Sequence, residues 1–403
     1  MQVFETKWKK NIVVFLSGQC ITLFGSMLVH YAVQWHITLT TQSGVAMMLM
    51  SVSMAVPMFL ISPFAGVWAD RYSKKLLINT ADAAIAGVTL LMAVVFSLGY
   101  EYIALLMVCV AVRGLGQGIQ SPSVHSFIPE MVPEEHLIRV NGFNSAIQSA
   151  VMFLSPIAGG ALIALVPIQT ALYIDVVTAA IGISMLVFFV KTPPKEKKAE
   201  QTPAWHEMAE GVKYIMGNDF IKKVMVASIM FNLMIAPPAI LSPLQTVRNF
   251  GEEPWRLVAI ELAFFIGMSS GGALLGVWGG LKNKCHTVAA AALISGISSV
   301  GLGLAENFVL YLICMGVAGL VMPGINAPLM TVLQIRVEPE YMGRVFSVLT
   351  MLGSIVMPAG MLVWGPLADV VTIDWLMIAS GIGVVASSAF LISSKTLREA
   401  GRV

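Results

Sequence analysis

Charge is scarce in this chain: only 11% of its 403 residues are Asp, Glu, Lys or Arg. A soluble domain carries roughly 25%, so a globular fold with a solvated surface is excluded. The net charge of +2 is too small for neutralising a phosphate backbone, and no nucleic-acid partner is expected. Cysteine is scarce too. Cys20, Cys109, Cys285 and Cys314 show no metal-ligand spacing and read as reduced structural thiols. A Gly-x-x-x-x-Gly-Lys-Ser/Thr segment is missing, which leaves ATP hydrolysis unsupported. No His, Asp and Glu set has the spacing of a membrane-embedded enzyme, and no cofactor or metal is expected. The N-terminal apolar stretch is too long for a cleavable signal and lacks a small-residue cleavage site.

What the chain has instead is long uncharged stretches. Residues 11–69, 140–174, 224–247, 262–281, 285–305, 307–335, 345–368 and 375–394 hold no Asp, Glu, Lys or Arg. About 20 mostly apolar residues cross the hydrocarbon layer of a bilayer as one helix, and a backbone in lipid must pair its own polar groups. The pattern predicts twelve spans near 12–37, 45–68, 76–98, 102–124, 141–166, 170–190, 221–246, 257–280, 285–305, 308–333, 344–367 and 373–394. The polar run Thr40-Thr41-Gln42-Ser43-Gly44 breaks the first stretch into two, and Pro167 breaks the second.

Basic residues then orient the chain. All but three of the 24 Lys and Arg residues fall in one alternate set of loops. The exceptions are Arg248 and Arg256 in the other set and Arg113 inside a span. Positive loops stay in the cytoplasm, which places both termini and the 191–222 segment there, in a multi-pass protein of the cell membrane. An odd number of spans would destroy this segregation.

The segment Lys191-Thr-Pro-Pro-Lys-Glu-Lys-Lys-Ala-Glu-Gln-Thr-Pro203 is charged, Pro-rich and poor in apolar side chains, as a linker is. Residues 205–218 follow with helical apolar spacing (Trp205, Met208, Val212, Ile215, Met216) and read as a surface helix or as an extension of the seventh span. The division is therefore an N-terminal six-helix bundle over 1–190, a cytoplasmic linker over 191–220 and a C-terminal six-helix bundle over 221–403. The halves echo each other at equivalent places. Gly66-Val-Trp-Ala-Asp70 matches Gly276-Val-Trp-Gly-Gly280, Gly118-Ile-Gln-Ser-Pro122 matches Gly324-Ile-Asn-Ala-Pro328, and Val132-Pro-Glu134 matches Glu338-Pro-Glu340. Two parallel six-helix repeats around a cavity form a pseudo-symmetric transporter architecture.

Between spans two and three stands Gly66-Val-Trp-Ala-Asp70-Arg71-Tyr-Ser-Lys74-Lys75. Its spacing, composition and place resemble the Gly-x-x-x-Asp-Arg signature of major facilitator superfamily transporters, with Ser73 where a glycine is usual. The resemblance implies that Gly66, Asp70, Arg71, Lys74 and Lys75 latch the cytoplasmic side in one conformation. The second copy lacks the Asp-Arg pair, so the latch is one-sided. In span five, Ser155-Pro156-Ile-Ala-Gly159-Gly160 partly resembles the Pro-Gly element of drug:proton antiporters. Pro156 removes a helix hydrogen bond and the two glycines allow close packing, so the helix can bend there or simply kink. Across nearly all of its length the chain resembles the macrolide-efflux branch of these antiporters, on Pro122…Val132-Pro-Glu-Glu-His-Leu137…Gln148…Ser155-Pro156 and on Glu338-Pro-Glu-Tyr-Met-Gly-Arg-Val-Phe-Ser347.

Ionisable groups at bilayer depth cost about 2.5–3.5 kcal/mol even on insertion scales, which makes each a functional candidate. Arg113 lies near the middle of span four, and resemblance makes it the superfamily's span-four arginine, holding a carboxylate ionised until a proton or substrate displaces it. Asp175 in span six, Glu261 in span eight and Asp82 in span three are the carboxylates that could carry protons. Asp175 and Glu261 are favoured, because their spans offer no other acid; the alternatives are a structural pair of Asp82 or Asp175 with Arg113, and for Glu261 an interfacial place paired with Arg256 and exposed to water. Span one has His30 and His36 but no acid. Gln34, Gln148, Asn232 and Asn326 are candidates for lining a substrate cavity or for bonding between helices.

These observations lead to an all-α membrane protein in the major facilitator fold. It is expected to act as a monomer that expels a hydrophobic drug-like compound, with a macrolide-type antibiotic favoured, by proton antiport and alternating access. Export of a siderophore or another natural metabolite is the near alternative. A non-transporting membrane sensor is the distant one.

Overall fold

The computed structural model describes residues 8–190 and 204–401. The Pro-rich part of the expected linker therefore lies outside the described residues, as do the surroundings of Gly66 and the side chain of Asp70. The described chain is helical throughout, and twelve of its helices are long and apolar enough to cross a membrane. Spans one to six are Trp8–Thr41, Gly44–Arg71, Lys74–Ser97, Ile103–Met131, Leu137–Leu165 and Ile168–Ser184, the last continuing into a π-helical turn, Met185–Phe189. Span seven is Asp219–Ala236, a π-helical turn over Pro237–Leu241, and Ser242–Phe250. Spans eight to twelve are Pro254–Trp278, Lys284–Leu304, Phe308–Arg336, Pro339–Val370 and Ile373–Ser393.

The breaks have local causes. Gln42 takes a left-handed backbone, φ 45°, between spans one and two. Asn283 and Asn307 open spans nine and ten by accepting hydrogen bonds from the first free backbone amides, Cys285 N at 3.0 Å and Leu310 N at 2.9 Å. Asn218, in extended backbone, does the same for Ile221 N at 3.2 Å. That cap separates span seven from a distinct helix over Ala204–Gly217, rather than one continuous rod. Nothing in the hydropathy warns of the turn inside span seven beyond the adjacent Pro237 and Pro238. Neither can donate an amide, so the α-helical ladder is locally replaced by a wider turn.

The chain forms two compact units, Met1–Ile37 with Ser53–Ala204, and Thr38–Val52 with Trp205–Val403. Within the first, span three packs against spans four and six. Within the second, span nine packs against spans ten and twelve. These are equivalent positions in a six-helix repeat. Backbone contact repeats as well. A Cβ on Gly114 of span four would lie 2.3 Å from the Met54 carbonyl oxygen of span two. A Cβ on Gly271 of span eight would lie 1.9 Å from that of Leu320 in span ten. Only glycine permits either approach, in keeping with helix packing in lipid, where small residues bring backbones together. The duplication visible in three short sequence motifs is thus also a duplication of packing.

Candidate functional site

In the first unit, span four carries Arg113 into a buried polar cluster. Arg113 is 4% exposed and Asp175 of span six is 1% exposed. The guanidinium donates to Asp175 Oδ2 at 2.5 Å, to Thr89 Oγ1 of span three at 2.8 Å and to the Ser26 carbonyl of span one at 3.1 Å. Ser26 Oγ donates to the other Asp175 oxygen at 3.3 Å. Four spans therefore meet on one ion pair. Asp175, one of the two carboxylates favoured from sequence, is the partner of Arg113 in this structure.

Asp82 is equally buried, at 3% exposure, but is differently placed. Gln120 Nε2 donates to it at 3.1 Å and to Gln19 Oε1 at 3.3 Å. No lysine, arginine or histidine pairs with Asp82 among the described residues. Thr89, Ser26 and Gln120 were not singled out by sequence reasoning. Gln120 could have been, because it lies inside the duplicated Gly118-Ile-Gln-Ser-Pro122 motif.

The basic cluster after span two is partly committed within the same unit. Lys74 pairs with Glu130 at the end of span four. Lys75 donates to the Val187 and Val190 carbonyls at 3.0 and 2.7 Å, closing the end of span six. Arg71 is exposed. In span five the helix is continuous through Pro156, and Ser155, Pro156, Gly159 and Gly160 are all buried. Among the described residues the Ser155 hydroxyl has no hydrogen-bond partner. Gln34 and Gln148, both half-buried, also belong to this unit.

Residues of the second unit line a cavity of about 490 Å³, within the range of small-molecule pockets. Asn232, Asn326 and Glu261 line it, with Phe231, Phe264 and a group of methionines. Thus two of the four amide candidates share one cavity with one of the carboxylate candidates. Asn326 occupies the place in the second repeat that Gln120 has in the first. Glu261 is the only charged residue of the lining, and no hydrogen bond or ion pair reaches its carboxylate among the described residues.

A further cluster in the second unit was not anticipated from sequence. Asp369, at the end of span eleven, accepts from Ser43 Oγ at 2.7 Å and from the Gly44 and Val45 amides at 2.7 and 3.0 Å. It thereby caps the start of span two. Arg248 donates to Asp369 Oδ1 at 2.9 Å and to the Gln42 and Ala368 carbonyls, each at 2.5 Å. Gln42 Nε2 donates to Glu252 at 2.6 Å. The residues lie on separate loops and a helix end, so no spacing signals their meeting.

Twelve bilayer-length helices in two units with the same internal packing, a buried ionic cluster and a small-molecule cavity define a multi-pass membrane transporter rather than an enzyme. The family model of the Major Facilitator Superfamily matches residues 11–361, and the chain belongs to that superfamily. Macrolide efflux protein A of Streptococcus pyogenes is 26% identical over 382 residues, 94% of either chain. The protein of the same name from Enterococcus faecalis is 28% identical over 323 residues, covering 79% of this chain and all of the relative. Among solved structures, the nucleoside transporter NupG superposes with a TM-score of 0.73 at 13% identity, over 96% of this chain and 99% of the other.

Proposed function

We propose that this transporter exports a hydrophobic drug-like compound in exchange for protons, with a macrolide-type antibiotic as the favoured substrate. One observation carries the coupling. Among the described residues each unit holds a carboxylate within its helices that has no cationic partner, the buried Asp82 in the first and the half-buried Glu261 in the second, while Asp175 already neutralises Arg113. An unpaired carboxylate away from water is costly as an anion, and taking up a proton removes that cost. Loading and release of that proton, as access changes from one side of the membrane to the other, couples the gradient to transport. Arg113 and Asp175 form a mutually neutralised ion pair in the same unit, and Asp82 takes up its proton apart from it.

Basic-loop segregation supports cytoplasmic termini. In that orientation Gly66, Asp70 and Arg71 latch the cytoplasmic side, and Lys74 and Lys75 anchor the latch to spans four and six. Ser155, Pro156, Gly159 and Gly160 give span five its bending point. The Arg248–Asp369 cluster lies on the external side and holds the start of span two. The likeness to macrolide efflux proteins over nearly the whole chain supports the substrate class. The transporter acts as a monomer in the cytoplasmic membrane and without nucleic acid.

The test is uptake of labelled erythromycin into inverted membrane vesicles. An imposed inside-acid gradient is expected to stimulate uptake beyond that of vesicles lacking the protein. Uptake indifferent to the gradient refutes proton antiport, and no uptake of any macrolide refutes the substrate class.

A further inference from the structure

We propose that Trp364 of span eleven is a positioning residue for the cavity of the second unit. Its indole N–H stands in for the amide that Pro237 lacks, and that bond braces a joint of span seven that is also cavity wall. The inference rests on the transport reading above only in taking this cavity for the substrate's.

Backbone chemistry sets the place of the joint. In an α-helix the amide of each residue pairs with the carbonyl one turn before it. Proline at 237 therefore leaves the Leu233 carbonyl without its own donor. Among helices in lipid there is no water to replace that donor, and an unpaired carbonyl is costly. Trp364 Nε1 donates to this oxygen at 2.9 Å. Gly360, one turn earlier on span eleven, makes the approach possible. A Cβ there would stand 3.3 Å from the Leu233 oxygen and 3.4 Å from Ala236 Cβ.

The segments on either side of the joint are tied down separately. Asp219–Ala236 opens on the Asn218 cap, and its Phe220, Ile221 and Val224 sink into a core cluster with Val332, Leu391 and Leu397. Ser242–Phe250 is held by buried polar groups instead. The Tyr311 hydroxyl reaches the Ser242 carbonyl at 3.3 Å and Gln245 Oε1 at 3.0 Å. Gln245 Nε2 donates to the Leu302 carbonyl at 2.9 Å and to Asp374 Oδ1 at 2.8 Å. Between the two anchored rods lies the π-helical turn Pro237–Leu241, whose two prolines supply no amide donor. Such a turn is where a helix bends.

The joint faces the cavity. Ile235, Pro238, Ala239 and Ser242 line it from span seven, and Val356 and Met357 line it from span eleven, just before Gly360 and Trp364. A donor within span seven would mend the Leu233 carbonyl and leave the two walls independent. A donor from span eleven ties one wall to the other. Bending at the turn breaks the indole bond and parts the walls, and remaking the bond brings them together. Trp364 thus sets how readily the cavity opens, by acting through the Leu233 carbonyl rather than by touching a guest.

The test is thiol labelling of the purified full-length protein in detergent, with no substrate and no gradient. The probe is N-ethylmaleimide, read by mass spectrometry at a cysteine placed just past the turn, Ser242→Cys, a position 3% exposed. Thermal melting first shows each variant folded. In that background Trp364→Phe keeps a ring and removes the donor. It is expected to speed labelling about two- to tenfold, the worth of one hydrogen bond. Pro237→Ala returns an amide to Leu233, so labelling slows, and Trp364→Phe added to it changes nothing further. An unchanged labelling rate in Trp364→Phe overturns the proposal. So does an equal acceleration with and without Pro237→Ala, the outcome for an indole that only fills space. A second measurement needs no variant. In wild type, hydrogen exchange of the amides of 239–241 is expected to outpace that of 224–236 and 244–250, and equal protection throughout overturns the hinge. Neither readout uses substrate or protons, so a failure here is separate from a failure of proton-driven export.

Discussion

Replacing Asp175 with Asn and Asp82 with Asn should have opposite consequences, although both are carboxylates buried in the first unit. Asp175 shares a short ionic contact with Arg113, and the two side chains are 1% and 5% exposed. Removing one partner of a buried pair strands the other and costs about 3–5 kcal/mol. Asn keeps an oxygen for Ser26, and Thr89 and the Ser26 carbonyl still accept from the guanidinium, so the lower end applies. We expect Asp175→Asn to lose about 3 kcal/mol of stability. Asp82 has one neutral donor, Gln120, at 3.1 Å. Such a bond is worth about 0.5–1.5 kcal/mol, and an Asn oxygen can still accept it. The substitution also removes a charge that no cation balances, so the expected change is within about 1 kcal/mol of zero. The assay is denaturant unfolding of each purified variant in mixed micelles, followed by circular dichroism. Transport supplies the second readout, because Asp82→Asn should keep its fold and lose its response to a pH gradient. Equal stability of Asp175→Asn and wild type, or a comparable loss in Asp82→Asn, would refute this division of roles.

Other perturbations test other parts of the account. Gly271→Ala places a methyl 1.9 Å from the Leu320 carbonyl oxygen, so spans eight and ten must separate. A loss of at least about 1–3 kcal/mol is expected, whereas Gly87→Ala, with nothing within 4 Å of the added atom, should be neutral or stabilising by up to about 1 kcal/mol. Thermal melting of both variants decides. Asp369→Asn weakens the charge-assisted cap on span two and should cost about 1–2 kcal/mol. In a Val45→Cys background it should also speed labelling by a membrane-impermeant maleimide, and an unchanged labelling rate would remove Asp369 from any gating role.

Much of the architecture was legible because it is written in one dimension. Span number follows from the length of uncharged runs. The repeat showed in three short motifs at equivalent places, and in one of them Gly118 does meet a neighbouring backbone, with the Met58 carbonyl oxygen 3.0 Å from where a Cβ would stand. Span seven was read as unbroken because hydropathy does not register a change of hydrogen-bond pattern, although Pro237 and Pro238 marked the place. At the site, Arg113, Asp175, Asp82 and Glu261 stood out because charge is rare at bilayer depth. Which carboxylate meets Arg113 was not legible. Spans three, four and six lie far apart in sequence, and their rotation about their own axes decides whether Asp82 or Asp175 faces the guanidinium. The meeting of Arg248, Asp369 and the start of span two was hidden for the same reason, since each residue alone looks like an ordinary charge at a helix end.

The account turns on protons moving against substrate through an unpaired carboxylate. Its most direct test is internal pH, read by trapped pyranine in proteoliposomes, when erythromycin is added outside. Protein-free liposomes correct for a weak base crossing in its neutral form. Wild type is expected to release internal protons faster than those liposomes, and Asp82→Asn to match them. Proton release by Asp82→Asn equal to that of wild type, or none above background from wild type, would contradict it.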